Sequence, residues 1–306
     1  MLPAGTDSLW QLAERRWAEI AGILPDLEPA LVIQKRLLRI TIDALEQLEV
    51  SGADLPDIPS DAVLDKWVRG VPAFRNETIP VPARLKEIFP ALCRALVEGG
   101  AGDSARHIGD ALASGDIDAA SLLSVSLARN EKAIRTNALH MGFSPDLVWL
   151  IGELGSSPMA HHLQARLLGR PGMQDAARDW DRGYCLCCGS WPVFVEFLGG
   201  QRLLRCSFCA AAWQLTSHRC IYCRNSGKDF LVAASETQQS DQRVELCRAC
   251  GGYTKIIEVR SPTPFPLLAI EDLATVDLDQ GAMSRDYVRP KLFDLDSLAP
   301  RSSGCA

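Results

Sequence analysis

Four Cys-x-x-Cys pairs constrain this chain more than anything else in it: Cys185/Cys188, Cys206/Cys209, Cys220/Cys223 and Cys247/Cys250. So many paired thiols in one short stretch point to metal ligands or redox centres rather than to free thiols or a disulfide framework. Of the eleven cysteines, nine lie between residues 185 and 250, and only Cys93 and Cys305 lie outside. Residues Met1 to Asp7 lack the basic and apolar regions of a secretory signal. No stretch approaches 18 uninterrupted apolar residues, so no membrane span is expected. These features lead to the expectation of a cytoplasmic protein, in a compartment where thiols stay reduced and clustered pairs serve as metal ligands.

A Cys-x-x-Cys turn puts two sulfurs on one side of a tight loop, where backbone N–H groups can donate to them. Two such turns facing each other make a closed tetrahedral S4 site, which suits zinc and iron alike. Gly189 and Gly251 each follow a second cysteine, where freedom to adopt positive φ helps the chain leave the turn. The gaps between knuckles span residues 189–205, 210–219 and 224–246. Each outer gap can hold a hairpin, which favours sequential pairing. Cys185, Cys188, Cys206 and Cys209 then take one metal, and Cys220, Cys223, Cys247 and Cys250 a second. A cross-braced arrangement, with knuckles one and three sharing a metal, stays open. Cys187 makes the first knuckle Cys-Leu-Cys-Cys; it is either a bystander or a thiol that can oxidise or substitute as a ligand. Cys93 reads as a small buried hydrophobe.

The fold class expected is multidomain α+β: an all-α N-terminal domain followed by two small rubredoxin-like or zinc-ribbon metal-binding subdomains. Trp10, Ala13, Trp17, Ile20 and Ala21 recur at helical spacing, as do Leu31, Leu38, Ile42, Leu45 and Leu48. Further helices are expected over Val81–Val97, Asp103–Ala113 and Asp118–His140. Ser144-Pro145 and Ser157-Pro158 each look like a cap followed by a first-turn proline, predicting two more helices. Residues 51–60 read as a long loop. Short strands are expected at Val193–Leu198, Arg202–Arg205, Phe230–Val232, Val244–Leu246 and Ile256–Val259. The domain boundaries drawn are 1–170, 183–215, 216–260 and a tail at 261–306, with a short helix near Glu271 packing back on the modules.

Composition narrows the function. The chain carries a net charge of −6. Between Arg182 and Arg260 there are ten basic and six acidic residues. Eight thiolates with two divalent ions bring that stretch near neutrality, so no basic footprint for nucleic acid remains. Trp191, Phe208, Trp213 and Tyr222 are expected to pack around the knuckles rather than to stack on bases. His161 and His162, adjacent on a helix, point about 100° apart and cannot act as an i, i+4 pair. His218 is an alternative ligand only if a cysteine defaults. The chain has no nucleophile elbow, P-loop or dinucleotide fingerprint, and a closed S4 site leaves no coordination position for substrate. An enzyme is not expected.

The sequence resembles the formate dehydrogenase accessory protein family, FdhE. The matching residues are Cys185-x-x-Cys188-Gly189-Ser190-x-Pro192, Leu203-Leu204-Arg205-Cys206-Ser207-x-Cys209 with Trp213, and Arg219-Cys220-x-x-Cys223. They continue as Cys247-x-x-Cys250-Gly251-x-Tyr253-x-Lys255, Glu271-Asp272-Leu273-Ala274, Leu278-Asp279 and Tyr287-x-Arg289. The family commonly has Cys-Pro-x-Cys at the first knuckle, where this chain has Cys-Leu-Cys-Cys.

The resemblance implies a cytoplasmic accessory factor. It would bind the catalytic subunit of respiratory formate dehydrogenase and support its maturation before twin-arginine export. It also implies rubredoxin-like iron in the two centres, with zinc the alternative. Tyr253, Lys255, Glu271 and Asp272 are candidates for client contact or for tying the tail to the second ribbon. A homodimer is left open. Two other readings stand beside it: a redox protein cycling its metal, and a zinc-ribbon nucleic-acid binder.

Overall fold

The computed structural model describes residues 6–50, 58–215, 217–234 and 242–290. Cys305, residues 51–57 of the expected loop and the end of the tail lie outside the described residues. The first part is helical: α1 Thr6–Ile23, α2 Glu28–Val50, α3 Ser60–Val68, α4 Ile88–Leu96, α5 Gly102–Ser114, α6 Ala119–Leu127, α7 Glu131–His140 and α8 Pro145–Leu168. A short α9, Met173–Ala176, lies in the linker between the expected domain boundaries at 170 and 183. Helix α8 is the hub and touches α2, α4, α6 and α7. Its Gly155 lets the ring of Phe89 approach to within the space a Cβ would fill.

Two expectations fail here, for local reasons. Ser157-Pro158 opens no new helix; Pro158 sits inside α8. Proline removes the N–H that would bond four residues back, and the Ser157 hydroxyl instead donates to the Leu154 carbonyl at 3.3 Å. Conversely, Asp118–His140 is two helices. The chain breaks at Arg129, which has φ of 58°, and restarts where the Asn130 side chain caps the N–H of Ala133.

The second part holds β1 Pro192–Leu198, β2 Gln201–Cys206, β3 Ala212–Gln214, β4 Phe230–Ala234, β5 Gln242–Cys247 and β6 Tyr253–Glu258. Each half runs knuckle, hairpin, knuckle, strand. The first half uses β1, β2 and β3, the second β4, β5 and β6. The halves merge into one six-stranded sheet ordered β3-β2-β1-β6-β5-β4. All pairings are antiparallel except β1 with β6, where Val195, Glu196 and Phe197 face Ile256, Ile257 and Glu258 in parallel. The Arg202 guanidinium reaches from the first half to the Glu245 carboxylate of the second, at 2.8 and 2.5 Å.

The tail forms α10 Phe265–Ala274 and α11 Val276–Met283. Helix α11 lies on β5 and β6, but α10 packs mainly on α1 and α2. There Leu267, Ile270 and Ala274 join Ala13, Trp17, Ile20, Leu31 and Leu38 in one apolar cluster. Arg16 fixes that contact with a two-pronged pair to Glu271 at 2.8 and 2.9 Å. The tail therefore straps the N-terminal helices to the sheet. Among the described residues, no helix is long and apolar enough to cross a membrane.

Candidate metal centres

The structure gathers the eight paired cysteines into two groups: Cys185, Cys188, Cys206 and Cys209, and Cys220, Cys223, Cys247 and Cys250. Within each group all four sulfurs lie within 4.8 Å of one another. This is the sequential pairing rather than the cross-braced one. The hairpins β1–β2 and β4–β5 produce it by folding each outer gap back on itself.

The geometry can be tested against a metal. In a tetrahedron with metal–sulfur bonds of about 2.3 Å, sulfurs sit about 3.8 Å apart. The contacts are 3.5 Å for Cys185–Cys209 and 3.4 Å for Cys188–Cys206. In the second group they are 3.7 Å for Cys220–Cys250 and 3.5 Å for Cys223–Cys247. A disulfide would need about 2.05 Å. Four sulfurs at this spacing fit one divalent ion, and an all-thiolate set is the donor chemistry of zinc and iron.

All four knuckles are built alike. The N–H of the first cysteine donates to a carbonyl five residues on: Cys185 to Ser190, Cys206 to Ala211, Cys220 to Asn225 and Cys247 to Gly252, at 2.8–2.9 Å. The chain then leaves through a left-handed residue four positions after that cysteine. Gly189 and Gly251 fill this position in knuckles one and four, with φ of 87° and 70°. Ala210 and Arg224 fill it in knuckles two and three, with φ of 61° and 65°. Neither announces itself, because only glycine marks such a position in a sequence. Backbone N–H groups of Phe208 and Cys209 approach the Cys206 sulfur at 3.4 Å, as Cys187 does that of Cys185.

The two centres differ in their surroundings. Every cysteine of the first is buried, whereas Cys223 and Cys250 of the second are exposed. The loop after α3 clamps the first knuckle: the N–H of Ala73 and the Trp67 indole both donate to the Leu186 carbonyl, and Phe74 N–H to that of Cys187. On the other side, the Arg129 guanidinium stacks over Phe208 at 4.1 Å while paired to Glu153. His161 Nδ1 meets the Cys209 carbonyl at 3.1 Å and its ring stacks on Phe265. Since a carbonyl only accepts, Nδ1 carries the proton. Burial pushes the His161 pKa down to about 4, so the ring is neutral. His161 thus supports the centre from outside, and His218, 3.6 Å from Glu245, is not grouped with any sulfur.

Without a cation, four sulfurs this close cannot all be thiolates, because their charges repel in a buried site. Burial raises Cys206 and Cys209 well above the usual thiol range. Burial would raise Cys185 too, but hydrogen bonds from neighbouring thiols hold it well below. A metal resolves this frustration by taking all four as thiolates. Cys187 stands outside the group. It is fully buried, and burial together with the Cys185 sulfur keeps its thiol protonated.

Tyr253, Lys255, Glu271 and Asp272 are all engaged within the chain. Lys255 is 0% exposed. Its ammonium meets Asp272 at 2.7 Å and Asp279 at 2.8 Å. Arg289 bridges the same two carboxylates at 2.8 Å each, and the Tyr253 hydroxyl donates to Asp279. With Glu271 held by Arg16, the geometry favours tying the tail over contacting a client.

The linker crosses the second half at one tight point. A Cβ on Gly183 would lie 1.8 Å from the Ile221 carbonyl oxygen, inside knuckle three. Nothing but glycine fits there without moving backbone.

No family model matches the chain. It is 30% identical over 115 residues to a Protein FdhE homolog of Aquifex aeolicus. It is 33% identical over 131 residues to one of Edwardsiella ictaluri, and 32% identical over 131 residues to Protein FdhE of Escherichia coli. These matches cover 36–40% of the chain, and the chain spans only 40–42% of those relatives' own length. The crystal structure of the FdhE protein from Pseudomonas aeruginosa matches 94% of the chain and 96% of its own, with TM-score 0.61 at 20% identity, a likeness of fold. The resemblance to the FdhE family is therefore borne out, by sequence over part of the chain and by fold over nearly all of it.

Proposed function

We propose that the chain is a cytoplasmic, non-catalytic accessory protein of respiratory formate dehydrogenase. In this reading it binds the catalytic subunit and supports its assembly before twin-arginine export. The observation that carries the reading is the pair of closed four-cysteine groups, set in a fold shared with an FdhE protein. Four protein ligands fill a tetrahedral ion, so neither centre offers substrate an open position, in contrast to catalytic zinc. What the centres do well is hold the knuckles, the sheet and the tail strap in one fixed surface. Cys185, Cys188, Cys206 and Cys209 would hold one ion, and Cys220, Cys223, Cys247 and Cys250 the other. Iron is the ion the resemblance favours, and zinc the alternative.

The test is anaerobic co-purification of the tagged chain with the dehydrogenase catalytic subunit, under reducing conditions. The reading expects the intact chain to retain the subunit and a Cys206→Ser/Cys209→Ser variant to lose it. Failure of the intact, metal-loaded chain to retain the subunit overturns the reading. The exposed thiols of Cys223 and Cys250 favour, as a second reading, a redox role for the second centre. Red, iron-loaded protein bleached by a mild reductant would support that role, and colourless protein with two zinc ions would end it.

A further inference from the structure

The two centres have the same ligands but not the same accessibility, and that difference predicts different chemistry. The first is sealed: all four cysteines are buried. Its entry knuckle is held to the helical part by three hydrogen bonds, from Ala73, Phe74 and Trp67, at 2.8–2.9 Å. Buried sulfurs are reached only by local opening, which here works against the clamp on the first knuckle. In the second, Cys220 and Cys247 face inward, while Cys223 and Cys250, one from each knuckle, face solvent. Two of the four cysteines of the second group are therefore open to solvent among the described residues.

We propose that the second centre is a ligand-exchange site that takes an external thiolate, while the first is a structural staple that does not exchange. The inference rests on the reading of both groups as metal centres. In the exchange, Cys223 or Cys250 gives up its bond as the incoming thiolate forms one. The freed sulfur takes a proton from water, and no electron changes hands. Cys220 and Cys247 remain bound, so the knuckles keep their shape while the site is open. The ligand class is a small thiol or a cysteine side chain of a partner; thiolates compete best because the ion already prefers soft donors.

The experiment uses the full chain loaded with two zinc ions, and its starting stoichiometry is read by native mass spectrometry. Fewer than two ions at the start means the metal-centre reading itself has failed. Dimercaptosuccinate is then added, released zinc is followed, and freed cysteines are trapped with N-ethylmaleimide and mapped. One ion should leave quickly, with label appearing first on Cys223 and Cys250 and only afterwards on Cys220 and Cys247. The other should leave about a hundredfold more slowly, as expected if the three clamp bonds must break first. Trp67→Phe removes one of those bonds and should speed only the slow phase. Equal release rates, first label on the buried set, or a Trp67→Phe effect on the fast phase would each overturn the proposal.

Discussion

Replacing Lys255 with methionine should damage the fold rather than any contact with a partner. The ammonium is fully buried and holds Asp272 and Asp279 at 2.7 and 2.8 Å, with a further 2.8 Å bond to the Asp272 carbonyl. Methionine fills much the same volume but leaves two carboxylates sharing the single cation of Arg289. Removing one member of a buried charge pair costs about 3–5 kcal/mol. The Asp272 and Asp279 side chains keep 33% and 18% exposure, so water relieves part of the imbalance. That places the expected loss near the lower end, about 3 kcal/mol. The assay is urea unfolding at pH 7 with metal content held constant. Hydrogen exchange should show the added opening in α11 and β6. Adding Asp279→Asn restores one cation to one carboxylate, since asparagine still accepts from Tyr253, and should recover part of the loss. A change below about 1 kcal/mol, or lost partner binding with stability intact, would refute the internal-tie account of this residue.

Other outcomes follow from the same geometry. Gly183→Ala should destabilise by at least the roughly 1–3 kcal/mol typical of overpacking, because its Cβ meets the Ile221 oxygen; an unchanged urea midpoint would contradict that approach. Gly189→Ala should cost about 1 kcal/mol, whereas Ala210→Gly should be neutral or gain up to about that much, since both positions are left-handed; equal signs would be inconsistent with the shared knuckle. As for pH, Asp272 is partly desolvated but is held below the usual carboxylate range by Arg289 and Lys255. Its stabilisation is therefore complete above its unfolded pKa of about 3.9 and fades as pH falls through the lower folded value. Asp272→Asn should flatten the acid limb of a stability–pH curve, and an unaltered limb would remove Asp272 from the account.

The metal-binding part was the most legible in the sequence because its information is local. Two cysteines three apart can bring both sulfurs to one side of a turn without distant help, and the hairpin-length gaps favoured the pairing found. The shared sheet was not legible. Val195 and Ile256 pair in parallel although they lie in different halves of the metal-binding part, and an apolar strand says nothing about which neighbour it will take. The helical part was legible by periodicity but not at its breaks. Arg129 holds a left-handed conformation where its guanidinium pairs with Glu153 and covers Phe208. These are tertiary contacts, and a helical pattern runs straight through them. Pro158 misled in the opposite direction, because a hydroxyl one residue away satisfies the carbonyl that proline orphans. Lys255 reads as a client contact or as a tie for the tail, and periodicity cannot choose between them; the folded tail brings two carboxylates onto it.

If the eight paired cysteines form two closed metal centres, the metal content of the chain must show it. Native mass spectrometry of chain purified without oxygen should show two tightly held ions per chain. Alkylation of that folded protein should spare all four cysteines of the first group, and denaturation in a chelator should free all eight. One ion or none in the anaerobic protein, or cysteines recovered as disulfides, would contradict the account.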